Sequence, residues 1–276
     1  MTGLPWAAFA ANLAVAAGAA FAVMLITFAV ARVKGVHRLV DIAWGTAFTA
    51  VALTTCALSA GYGDDGRRIL VTAATAVWGL RLSVHIARRG RGHGEDDPRY
   101  ARMLAKAPGS RDAYALRTVY LLQGGLVWLI SLPVQVAQYA AVPLGASAVA
   151  GGLLWATGCV FESVGDFQLA RFKADPDHKG RVMDRGLWGW TRHPNYFGDF
   201  LVWWGLFLLA CGTMQSAAVA VVSPLVMSYL LIYGSGKRLL ENHLADRPGY
   251  AAYTARTSGF LPLPPRRRPH PEDHRS

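Results

Sequence analysis

Apolar stretches long enough to cross a bilayer recur along nearly the whole of this 276-residue chain, and that recurrence limits what it can become. Seven are legible, at about 6–33, 39–60, 69–87, 118–140, 146–170, 196–211 and 215–235. A bilayer core asks for roughly 20 apolar residues per helix. It also forces every backbone N–H and C=O to be satisfied within the span, which leaves helices or a closed barrel. Continuous apolar runs without period-two alternation select helices. The expectation is an all-α polytopic membrane protein of about seven transmembrane helices. Only 16% of the residues are charged, against about 25% in an ordinary soluble domain.

The net charge of +11 invites a nucleic-acid reading, but its distribution opposes one. All the Lys and Arg except Arg67 and Arg68 fall in 32–38, 81–117, 171–192 and 237–275. Those segments alternate with the spans, so the basic charge gathers on one side, which the positive-inside rule makes cytoplasmic. The N-terminus is then outside, the C-terminus is cytoplasmic, and all eight His lie on the basic side. The partner is a lipid bilayer and not a nucleic acid. The expected home is a bacterial inner (plasma) membrane, crossed several times. Residues 1–261 read as one membrane domain and 262–276 as a disordered Pro/Arg-rich tail. Cys56, Cys159 and Cys211 stand alone within spans, with neither disulfide nor metal spacing. Gly61-Tyr62-Gly63-Asp64-Asp65-Gly66 matches a dinucleotide fingerprint, yet it joins two spans and not a strand and a helix, so it reads as a turn.

Ionisable side chains inside spans are costly and mark function by default. Three groups qualify. On the fifth span, Glu162, Asp166 and Lys173 are spaced four and seven apart, on one helical face. At the entrance of the sixth, residues 186–199 carry Arg192, His193, Pro194, Asn195, Tyr196 and Asp199. Pro194 suits a first helical turn. Asn195 and Asp199 then share a face that Trp203 continues, and Arg192 and His193 flank a helix start fit for an anion. On the third span Trp78, Arg81, His85 and Arg88 form a stripe, and Asp41 opens the second as a cap or a pocket wall. A polar loop through Tyr100 can cover these groups from the cytoplasm. No nucleophile–base pair or metal cluster stands out, so the chemistry is expected to rest with a cofactor. A large anionic cofactor entering from water and a lipophilic small-molecule substrate entering from the bilayer suit such a cavity.

At these residues the chain resembles the steroid 5-alpha-reductase superfamily, in particular an uncharacterised bacterial branch that carries a domain of unknown function. The resemblance lies in 186–199, in Glu162-Ser163-Val164-Gly165-Asp166-Phe167-Gln168, in Arg81, and in Tyr250, Tyr253 and Phe260-Leu261-Pro262. It implies a seven-helix fold that binds NADPH among its last helices and reduces a carbon–carbon double bond. It places Asn195 toward the nicotinamide, Asp166 as a cofactor-binding carboxylate, and Glu162 where the steroid enzymes can have Asn. Asp199 stands where relatives commonly have Glu. Arg81 and Arg181 match basic residues of the cofactor site, and His243 falls near a further contact. The resemblance puts Trp78 where the steroid enzymes carry the Tyr that polarises a ketone, with Asp41 nearest to its acidic partner. Indole donates only N–H and is no equivalent acid. His85, Asp41 and Tyr100 remain as candidates for the proton side of the reaction. Two other classes compete. One is an S-adenosylmethionine-dependent membrane methyltransferase, similar in Arg192-His193-Pro194, Tyr196 and Gly198. The other is a lipid- or cofactor-binding protein without turnover.

Overall fold

A computed structural model describes residues 3–90, 96, 98–234 and 236–266, and among them every regular element is a helix apart from an isolated bridge between Thr191 and Ser258. The helices are α1 (Trp6–Lys34), α2 (Leu39–Leu58), α3 (Asp65–Arg89), α4 (Pro98–Leu104), α5 (Arg111–Ala115), α6 (Leu122–Ile130), α7 (Leu132–Ala137), α8 (Ala146–Ala174), α9 (Leu187–Trp190), α10 (Pro194–Ala210), α11 (Met214–Ala220), α12 (Val222–Ile232), α13 (Lys237–Leu244) and α14 (Tyr250–Arg256). A π-helical turn, Leu116–Leu121, joins α5 to α6. Six segments are long and apolar enough to cross a membrane: Trp6–Lys34, Leu39–Leu58, Asp65–Arg89, Arg111–Ile130, Ala146–Ala174 and Met214–Asn242. The protein is a multi-pass membrane protein.

Three expected spans differ in detail. The fourth begins at Arg111, ahead of the expected 118, and stops at Ile130 rather than running on to 140. Pro133 sits in the first turn of α7 and cannot continue a helix from α6. The sixth segment forms α10, which at 17 residues falls short of the other six. The last segment is divided at Val221, with Pro224 just inside α12.

The chain forms two compact units, Met1–Gly152 with Gly205–Pro224, and Leu153–Trp204 with Leu225–Ser276. In the first, α2 and α3 touch backbone to backbone. A Cβ on Gly45 would lie 2.0 Å from the Gly79 carbonyl oxygen, and one on Gly79 would lie 2.4 Å from that of Gly45. Such small-residue contacts replace the missing hydrophobic drive between helices in lipid. Phe48 and Trp78 meet edge to face beside the crossing, and both are fully buried. The break after α6 exposes carbonyls that side chains repair: Gln135 Nε2 donates to Trp128 O (3.0 Å) and Ser223 Oγ to Ile130 O. The 61–66 turn is as expected. Asp64 caps α3 by accepting from Arg67 N at 2.8 Å, and a Cβ on Gly63 would strike the Gln138 carbonyl at 2.2 Å.

Arg67 and Arg68, the two basic residues outside the four basic segments, are buried. Arg67 donates to the carbonyls of Val142 (3.1 Å), Pro143 (3.2 Å) and Leu209. Arg68 donates to Ser59 Oγ (2.9 Å) and Cys56 O (2.7 Å) and pairs with Asp65. Both act as ties between helix ends, where the backbone leaves carbonyls without helical partners.

Candidate functional site

The second unit is organised by the contact of α8 with α10. Glycines recur every seven residues on both helices: Gly151, Gly158 and Gly165 on one, Gly198 and Gly205 on the other. Within this unit a Cβ on Gly158 would lie 2.5 Å from Gly198 O, and one on Gly198 would lie 2.5 Å from Glu162 N and 2.6 Å from Gly158 O. A Cβ on Gly165 would meet Pro194 Cγ at 3.1 Å. The two backbones touch, and the start of α10 is drawn against the polar turn of α8. Glu162 and Asp166 are buried there, at 4% and 8% exposure. Asn195 Nδ2 donates to Asp166 Oδ1 across the contact at 3.4 Å. Asp199, half-buried, stands one turn further into α10, and Trp203 beyond it is fully buried. The spacing of Glu162, Asp166, Asn195 and Asp199 did signal one polar seam. The glycine period that closes it went unread, although its seven-residue step was the signal to use.

The 186–199 segment is fixed from both sides. Gly186 has φ +59°, and any Cβ there would meet the Gln168 amide at 2.5 Å. Gln168 Oε1 accepts from Leu187 N (3.0 Å), and Trp188 Nε1 donates to Gly165 O (2.9 Å). Toward the C-terminus, Tyr253 Oη donates to Trp188 O (2.6 Å), Thr191 Oγ1 to Phe260 O (2.8 Å), and Leu263 N to Trp190 O (3.0 Å). Burial raises the Tyr253 phenol above its ordinary range. The closing Tyr253 and Phe260 thus serve as braces for the motif.

Arg192 and His193 face the same carboxylate. Glu241 Oε1 accepts from Arg192 Nε at 2.9 Å and lies 3.1 Å from His193 Nε2. Arg192 Nη1 also donates to Thr254 O (3.1 Å) and Thr257 O (3.2 Å). His193 is 1% exposed and stacks in parallel on Tyr196, with ring centroids 5.3 Å apart. Burial outweighs the attraction of Glu241 and drives its pKa down to about 4, so the imidazole is neutral at pH 7. With Glu241 ionised, His193 must donate from Nε2, which leaves Nδ1 as an acceptor. Most of the Arg192 fork is therefore committed to holding the fold together. Lys173, Lys179 and Arg181 are exposed cations on and after the end of α8. The side chain of His243 lies outside the described residues.

Arg81, His85, Asp41 and Tyr100 belong to the first unit. Arg81 and His85 are half-buried on α3. Asp41 near the start of α2 and Tyr100 on α4 are brought together: Tyr100 Oη donates to Asp41 Oδ1 at 2.6 Å, and Arg99 Nη2 lies 3.2 Å from Asp41 Oδ2. Gln123 reaches the same phenol, which burial and the adjacent carboxylate raise above its ordinary range. Beside them Arg38 N donates to Asp96 Oδ1 (2.8 Å), and His37 Nδ1 lies 3.1 Å from the Tyr120 hydroxyl. Tyr120 sits in the π-helical turn, a geometry frequent at functional sites. Sequence reasoning missed Gln123 and Tyr120, which stand within apolar sequence, and the Lys237 and Glu241 ion pair, whose partner Arg192 lies almost fifty residues earlier.

Among the described residues no cluster of three His, Cys, Asp or Glu could hold a metal ion. Fold and polar seam together define a helical, multi-pass membrane protein with a buried carboxylate–amide site. More particularly, the chain belongs to the family described as "Protein of unknown function (DUF1295)", whose model matches residues 27–257. It is similar to an uncharacterized protein, C594.04c, of Schizosaccharomyces pombe (strain 972 / ATCC 24843). The two are 24% identical over 256 residues, covering 81% of this chain and 72% of that protein. No solved structure matches.

Proposed function

We propose that this chain is a reductase of the steroid 5-alpha-reductase superfamily, using NADPH to reduce a carbon–carbon double bond in a lipid-soluble molecule. The substrate class is a steroid, an isoprenoid or an unsaturated acyl lipid. Its place is a bacterial plasma membrane with the basic loops cytoplasmic. One observation carries the reading: two buried carboxylates, Glu162 and Asp166, sit on a membrane helix pressed by glycines against Asn195. Burying two carboxylates within one turn is expensive, since each pays desolvation and they repel. Ribose hydroxyls and a carboxamide N–H₂ are donors, so an acceptor-rich seam fits a nicotinamide nucleoside. The exposed Lys173, Lys179 and Arg181 suit its phosphates.

NADPH, when bound, supplies the hydride. The chain's own part is orientation and exclusion of water. Asp166 fixes the Asn195 carboxamide, Glu162 and Asp199 line the same two helices, and Arg192 positions α10 through Glu241. In the first unit Tyr100 Oη donates to Asp41, and that pair is a polar centre of its own.

The methyltransferase reading draws on Arg192-His193-Pro194, but Glu241 is already committed to Arg192 and His193. Thermal unfolding of the purified protein with NADPH or S-adenosylmethionine separates the two. A ligand at 100 times its dissociation constant adds about 2.7 kcal/mol. Stabilisation by NADPH alone is expected; stabilisation by S-adenosylmethionine alone, or by neither, would overturn the reading.

A further inference from the structure

Two cationic groups in the second unit converge on one point. A Cβ built on Gly259 would lie 3.1 Å from Arg192 Nη2 and 3.1 Å from Lys237 Nζ, which bounds the separation of the two nitrogens to about 6 Å. Both side chains are mostly buried, at 14% and 24% exposure. Among the described residues one carboxylate, Glu241, balances them, and its contacts are unequal. Oε1 takes Arg192 Nε and His193 Nε2, whereas Lys237 Nζ stays 4.0 Å from Oε2, beyond hydrogen-bond reach. Arg192 engages carbonyls through Nη1, and its Nη2 makes no hydrogen bond among the described residues. Two cations against one carboxylate leave an unbalanced positive charge where water screens poorly.

Two hydroxyl-bearing residues are linked to the same ion pair. Tyr250 Oη and Thr257 Oγ1 are buried, at 5% and 4% exposure, and neither has a hydrogen-bond partner among the described residues. Thr257 belongs to this cluster through its carbonyl, which accepts from Arg192, and Tyr250 through its electrostatic coupling to Glu241 and Arg192. Buried polar atoms without partners are rare and call for a ligand, an ion or water. Here the uncommitted groups include four donors, a guanidinium nitrogen, an ammonium and two hydroxyls, against one neutral acceptor, His193 Nδ1.

We propose that Arg192, Lys237, Tyr250 and Thr257, over the bare Cα of Gly259, form a binding site for a phosphate-class oxyanion. A phosphomonoester or phosphodiester matches the donor set, because each oxygen takes charge-assisted hydrogen bonds. The oxyanion comes either from a lipid headgroup or from a soluble phosphate compound. The site does not depend on the reductase reading, since its geometry is independent of Glu162, Asp166 and Asn195.

The test uses the full chain in phosphatidylcholine nanodiscs. Inorganic phosphate and pyrophosphate are titrated at constant ionic strength, with the unfolding midpoint as readout. A parallel arm measures, by native mass spectrometry, retention of phosphatidylglycerol against phosphatidylcholine. Two variants accompany the wild type. Lys237→Gln removes one cation. Gly259→Ala keeps both charges and sets a methyl 3.1 Å from each nitrogen, on a residue whose φ is not positive. Saturable binding of a soluble phosphate or selective retention of phosphatidylglycerol is expected, weakened about tenfold in each variant. The arm that responds names the source. Absence of binding by all three probes, or binding that Gly259→Ala and Lys237→Gln leave unchanged, would overturn the site. NADPH binding through the carboxylate seam can stand or fall separately.

Discussion

Replacing Gly198 by Ala probes the contact on which the second unit depends. The added methyl would lie 2.5 Å from Glu162 N, 2.6 Å from Gly158 O and 2.8 Å from Glu162 Cβ. Two of these atoms are backbone and cannot swing aside. Ordinary contact begins at 3.4 Å, so α8 and α10 must part by about 0.9 Å. Overpacking of that kind costs about 1–3 kcal/mol. The Asn195–Asp166 hydrogen bond, already 3.4 Å long, passes out of reach when the helices separate. Gly152→Ala is the control, since a Cβ on Gly152 meets nothing within 4 Å on the same helix. Unfolding followed by tryptophan fluorescence in detergent should show Gly198→Ala clearly destabilised and Gly152→Ala within about 0.5 kcal/mol of wild type. Equal stability of the two variants would refute a glycine-closed seam.

Further outcomes are expected elsewhere in the molecule. Arg67→Ala leaves the carbonyls of Val142, Pro143 and Leu209 without their donor, and at about 1–3 kcal/mol per unsatisfied group chemical denaturation should show a loss well above that of a surface substitution. Tyr100→Phe deletes the hydrogen bond to Asp41; hydrogen exchange in Pro98–Leu104 should rise about tenfold or more while the global unfolding midpoint stays put, and unchanged exchange would deny that this contact anchors α4. His193 is held neutral down to about pH 4 by burial, among Glu241, Arg192 and Lys237, against an ordinary 6.5 when unfolded. Between those values the unfolded chain binds the extra proton, so stability falls as pH drops from 6.5 toward 4. His193→Gln should flatten that part of the pH–stability curve, as measured by equilibrium unfolding.

The helical membrane fold was legible because hydrophobicity dictates spans directly. Where it misled, around Ile130, Pro133 decides the helix end and a buried hydroxyl caps it, and an apolar window is blind to both. The polar seam was partly legible. Helical spacing placed Glu162 with Asp166 and Asn195 with Asp199, and the Asn195–Asp166 bond joins the two pairs. Arg192 and His193 read from sequence as anion binders at a helix start. The structure adds Glu241, almost fifty residues later, whose carboxylate takes both side chains and turns part of that charge inward. Tyr100 and Asp41 lie 59 apart in sequence, and no periodicity could pair them. Arg67 looked like an exception to the charge rule; its three carbonyl acceptors give a buried cation a structural role there.

The most direct test of the central claim is fluorescence titration of NADPH into the purified chain, wild type beside the double variant Asp166→Ala, Asn195→Ala. The wild type should quench or shift cofactor emission saturably, and the double variant should lose that saturation while keeping the wild-type helical circular dichroism. A flat titration of the wild type, or identical curves for both proteins, would contradict a nicotinamide nucleotide site in the α8–α10 seam.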